Sequence, residues 1–135
     1  MTYSWITRIM AILALLASGA CDILESDADY RDFKITADSI WVPASISASE
    51  SLPVRVFAEL GSDCRTFSHF HAEKNESQVV LVAWGRQDIR KGILCPATIV
   101  MMDETYVVSA PYQNPFQVEY DQPDGEPLGA SVIVQ

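Results

Sequence analysis

Residues 53–60, Pro53-Val54-Arg55-Val56-Phe57-Ala58-Glu59-Leu60, put Val54, Val56, Ala58 and Leu60 on one side and Arg55 and Glu59 on the other. Side chains alternate between the faces of a pleated strand, so this stretch reads as a strand with one face buried and one wet. The same signal repeats outward from it. Residues 77–84, Ser-Gln-Val-Val-Leu-Val-Ala-Trp, are β-branched and almost continuously apolar, as a central strand requires. Phe116, Val118 and Tyr120 alternate with Gln117 and Glu119, and Leu128, Ala130, Val132 and Val134 line one face of a closing strand. Between these two runs lies Pro123-Asp124-Gly125, where Pro presets φ and Gly permits a positive φ, so the pair reads as a hairpin.

Further strands are expected at residues 39–42, 65–73, 96–101 and 105–109. With no helical period after residue 20, the chain predicts an antiparallel β-sandwich of seven to eight strands spaced 8–12 residues apart. The 135 residues make one domain, 49% hydrophobic and 20% charged, outside the disordered and collagen-like ranges. Nine basic residues stand against 18 acidic ones, a net charge of -9, which would repel a phosphate backbone. Nucleic acid is therefore excluded as a general partner.

The front of the chain is different. Arg8 is the one charge in residues 1–20, and Ile9-Met10-Ala11-Ile12-Leu13-Ala14-Leu15-Leu16-Ala17 follows without a polar position. A run this short falls well below the roughly 20 residues of a membrane-spanning helix. A basic start, a short apolar middle and the small residues Ser18-Gly19-Ala20 read as a signal peptide over residues 1–20. The segment ending in Cys21 resembles the lipobox of bacterial lipoproteins, in which a terminal cysteine receives diacylglycerol before cleavage. Gly19, Ala20 and Cys21 match that pattern, whereas Ser18 stands where Leu is usual; Ser18-Gly19-Ala20 also suits an ordinary signal peptidase. The resemblance implies a mature protein held in the cell envelope, on the periplasmic or extracellular face, by a palmitate-type lipid on Cys21. The membrane is its expected partner. Two acyl chains meet the requirement for stable anchoring that one chain does not. Asp22 resembles the inner-membrane retention signal of enteric lipoproteins.

Without residues 1–20 the chain has 8 basic and 18 acidic residues, a side-chain net charge of -10. The stretch after Cys21, residues 22–34, holds five acids and two bases with no sustained apolar period. With Cys21 it reads as a tether, residues 21–34, that reaches at most about 45 Å, although Phe33 and Ile35 also fit the start of a strand. Residues 35–135 form the expected domain.

Three cysteines are present, Cys21, Cys64 and Cys95, and exported proteins favour an even number in bridges. A lipid on Cys21 leaves Cys64 and Cys95 as a disulfide pair. The layout of residues 43–135 is a strand, a loop with the first Cys, two strands, a loop with the second Cys and a final hairpin. It resembles the small cysteine-paired immunoglobulin-like domains of bacterial lipoproteins. That resemblance implies a non-catalytic binding or structural module.

His69-Phe70-His71 is the most specific chemical feature. Residues two apart in a strand share a face, so His69 and His71 could hold Zn²⁺ or Cu²⁺ with Glu73, Asp63, Met101 or Met102 completing the set. The competing reading turns Phe67 or Phe70 to the core and leaves the histidines in water. The alternative function is thus an envelope metal-binding protein. Arg86, Arg90 and Lys91 concentrate positive charge that suits an acidic partner or phospholipid head groups, or else simply a solvated connection. Tyr106, Tyr112 and Tyr120 offer an aromatic rim for a glycan or protein partner, or else core packing. Asp103-Glu104 reads as a turn. No nucleophile elbow, phosphate loop or cofactor motif occurs, so neither an enzyme nor a cofactor is expected.

Overall fold

The computed structural model describes residues 29–135. The signal peptide, Cys21 and residues 22–28 of the tether lie outside the described residues. Nine strands form two sheets: β1 (Tyr30–Lys34), β2 (Ser39–Trp41), β3 (Ser45–Ile46), β4 (Leu52–Glu59), β5 (Arg65–Lys74), β6 (Gln78–Asp88), β7 (Met101–Val108), β8 (Phe116–Tyr120) and β9 (Leu128–Val134). The smaller sheet runs β2-β4-β7. The larger runs β1-β6-β8-β9-β3, with β5 on the other edge of β6.

The described residues are all-β, as their alternation requires, and the two sheets enclose one core. Leu52, Val54, Val56 and Ala58 of β4 face Val79, Leu81 and Ala83 of β6, with Phe116, Val118, Tyr120 and Val132 filling between them. All eleven are fully buried. Burying each Val or Leu contributes about 1.5–3 kcal/mol, so the apolar faces set which side of each strand turns inward.

Five expectations need correction, the last of them the extent of the tether. Nine strands are present among the described residues rather than seven to eight, because β1 and the two-residue β3 gave no sustained apolar signal. The sheets are not wholly antiparallel: β6 pairs with β8, and β3 with β9, in parallel. Residues 96–100 are not a strand; β7 begins at Met101 and continues through the stretch expected to start separately at residue 105. Asp103 and Glu104 therefore lie inside β7, opposite Phe57 and Val56, instead of in a turn. An edge strand bonded on one side only can carry acids that reach water past the sheet edge, and β7 is such a strand.

Residues 30–34 pair with Trp84–Asp88, so the last part of the stretch read as a tether is a strand of the larger sheet. Gly85 makes the pairing possible. A methyl group at Gly85 would stand 2.6 Å from Phe33 Cζ, so the Phe33 ring lies where any other residue would place its Cβ. Arg65 covers that ring, its guanidinium 5.0 Å from the centroid. The Asp124-Gly125 turn forms where its sequence places it, with Gly125 at φ 101°. Cys64, in the β4–β5 loop, is disulfide-bonded to Cys95 in the β6–β7 loop.

Candidate functional site

The longest strand, β6, has one edge given wholly to β5, while two strands share the other. Tyr120 of β8 is opposite Leu81, and Lys34 of β1 is opposite Trp84. Between these pairs both neighbours leave the sheet, and on that edge β6 has no strand beside Val82 and Ala83, which stay paired with β5 on the other. Buried amides without partners cost several kcal/mol, so the gap has to be closed. Tyr120 closes it from the core side: its hydroxyl donates to Ile35 O at 2.6 Å and accepts from Ala83 N–H at 3.3 Å. Ile35 N–H donates to Ala83 O, and Asp121 N–H to Leu81 O. Burial pushes the Tyr120 phenol above its ordinary value, against the opposing effect of the Ala83 N–H.

On the outer face the same gap leaves a hollow of about 260 Å³. Val80, Val82 and Trp84 form its apolar floor, and Lys34, Asp121, His71 and Glu73 form its rim. Lys34 Nζ lies 3.5 Å from Asp121 Oδ2, and His71 Nε2 lies 3.7 Å from Glu73 Oε1. Each side of the hollow therefore presents one nitrogen group beside one carboxylate. These side chains are solvated, so the pairs position polar groups and contribute at most about 1 kcal/mol each.

A register shift between Phe67 and His69 sets the histidines. An extra residue, Ser68, interrupts the alternation, so Phe67 and Phe70 both turn inward although they are three apart. Their rings pack at 4.9 Å, and Phe70 meets Tyr106 edge-on at 5.7 Å. His69, His71 and Glu73 consequently share the exposed face. His69 lies parallel to the Trp84 ring at 6.4 Å, with its Nδ1 3.1 Å from Ser68 Oγ. Among the described residues no three His, Cys, Asp or Glu side chains come together as a metal set. Asp63 hydrogen-bonds Thr98 instead, while Met101 and Met102 lie on β7 of the other sheet.

The three tyrosines proposed as a rim are dispersed into packing roles. Tyr120 is in the core, Tyr106 packs against Phe70, and the Tyr112 hydroxyl donates to Val108 O while accepting from Leu52 N–H. Arg86 belongs to β6 and pairs with Asp32, so only Arg90 and Lys91 of the basic cluster lie in the connection. Lys34 and Asp121 had no individual signal. The outward half of the apolar run, Val80-Val82-Trp84, did carry one, since a merely wet face would be polar there. No protein-family model, curated protein or solved structure matches the chain.

Proposed function

We propose that the protein is a lipid-anchored cell-envelope lipoprotein whose domain, an immunoglobulin-like β-sandwich, acts as a non-catalytic binding module through the hollow over Trp84. The anchor reading rests on the apolar run ending at Cys21. The fold reading is supported by two facing sheets and a cysteine pair joining loops at one end. The binding reading rests on one observation: an apolar floor ending in an indole, rimmed by an ammonium, an imidazole and two carboxylates.

That arrangement suits a flat ligand with an apolar face and hydroxyl groups around its edge, as in one sugar unit of a glycan. Drug-sized ligands occupy pockets of about 300–1,000 Å³, so the hollow accommodates a single ring. Two carboxylates on the rim and the overall negative charge disfavour anions. No serine, threonine or cysteine lines the hollow, which supports a binding role.

Tryptophan emission followed during titration with neutral mono- and disaccharides tests the proposal. At least one sugar should give a saturable change that survives Trp41→Phe and disappears in Trp84→Ala. Absence of a saturable change with every sugar would remove the glycan reading.

A further inference from the structure

The basic segment after β6 meets the point where the chain enters the domain. Ile89 N–H donates to Asp29 O at 3.0 Å, and Tyr30 is opposite Asp88. In the sequence Asp29 follows Cys21 by eight residues, a span of at most about 28 Å. If Cys21 is anchored, this end of the domain is held near the bilayer.

The residues exposed at that end have the matching character. Residues 89–100 contain no acid and two bases, Arg90 and Lys91, in a chain whose mature net charge is -10. Leu94 is 89% and Ile99 74% exposed, and Ile89 and Ile93 are also open to solvent. Four large aliphatic side chains of one segment thus stand in water, and apolar surface concentrated in this way marks interaction surfaces. The Cys64–Cys95 bond fixes the residue beside Leu94, which limits retreat of that side chain toward the core. Arg90 is engaged by Asp88 at 2.6 Å, whereas Lys91 makes no ion pair among the described residues.

We propose that residues 89–100 are a membrane-contacting surface, with Leu94 and Ile99 entering the head-group region and Lys91 beside anionic phosphates. The inference rests on the lipid anchor at Cys21. Asp22, Glu25 and Asp27 are repelled by the same surface, and the apolar and basic side chains of the loop supply the opposing attraction. A glycan hollow lies on the sheet face, away from this end, so both surfaces can be occupied together.

The test uses the full chain expressed with its own signal and purified from bacterial membranes, with Leu94→Trp or Ile133→Trp added. Ile133 is exposed near the start of β6, about 30 Å from Asp88 along the strand direction. Each variant is reconstituted in phosphatidylglycerol vesicles with and without brominated acyl chains, and intact mass reports the lipid on Cys21. The added emission of Leu94→Trp should shift to the blue and be largely lost to bromine, while that of Ile133→Trp persists. Adding Lys91→Glu should weaken the quenching. Lipidated protein with neither tryptophan quenched, or with both quenched alike, overturns this surface while the anchor stands. A mass without diacylglycerol overturns the anchor, and this inference with it.

Discussion

The hollow over Trp84 and the loop of residues 89–100 both expose apolar surface, but they do so in opposite ways. In the hollow, Val80 and Val82 lie on the sheet plane below Lys34, Asp121, His71 and Glu73. In the loop, Leu94 and Ile99 project beyond the backbone. A floor beneath a polar rim selects for a small shape, whereas projecting side chains need only a plane to enter. Their supports differ too. Paired strands and the Tyr120 hydroxyl form the hollow, while a disulfide, a hydrogen bond from Thr98 to Asp63 and one from Leu60 N–H to Val100 O tie the loop back to the β4–β5 connection.

That contrast can be broken most severely at the disulfide. Cys64→Ser or Cys95→Ser should cost about 2–5 kcal/mol in denaturant unfolding. At low denaturant, the Trp84 environment should be retained. Thiol labelling of both cysteines in the native, unreduced protein would contradict the bond.

Tyr120→Phe works on the other region. It leaves Ile35 O and Ala83 N–H short of a partner beneath the hollow, at a cost of about 1–3 kcal/mol. The phenol's raised pKa gives the folded state a preference for the neutral form. Its contribution is complete below the ordinary tyrosine value and is lost as pH rises through the higher folded value. Melts across the alkaline range should show a smaller decline in Tyr120→Phe than in wild type. Part of the decline should remain, because burial also raises Tyr112.

Gly85→Ala should cost about 1–3 kcal/mol by displacing the Phe33 ring. Faster amide exchange confined to residues 30–34 and their β6 partners would locate the damage. An unchanged melt would show that β1 contributes little to the sheet.

The smallest effect is expected on the exposed face of β5. His69→Gln with His71→Gln should change stability by less than about 0.5 kcal/mol. Zn²⁺ or Cu²⁺ should leave the wild-type melt in place. If the pair chelates, metal at a hundredfold excess over its dissociation constant would instead add about 2.7 kcal/mol, a gain absent from the double variant.

Alternation alone made β4, β8 and β9 legible, because burying one face forces a period of two. The Cys64–Cys95 pair was also legible, by counting. The histidine face emerged correctly only in part: His69 and His71 share a side, but the Ser68 bulge that brings Phe67 and Phe70 inward together leaves no mark in composition. The split edge of β6 was not legible either. It joins Lys34 to Asp121, 87 residues away, through a parallel pairing of β6 with β8 whose register depends on the assembled sheet. Residues 96–99 had strand-like composition but pair with no strand and lie in exposed loop, whereas Val100 accepts from Leu60 N–H and packs on the core.

The proposed anchored binding module turns first on Cys21. Wild type and Cys21→Ser, each expressed in a bacterium with the native signal, should be compared by detergent phase partitioning and intact mass. Wild type should enter the detergent phase carrying diacylglycerol on a chain that begins at Cys21, and Cys21→Ser should be released or left unprocessed. Identical partitioning of the two proteins, with no lipid on Cys21, would contradict the account.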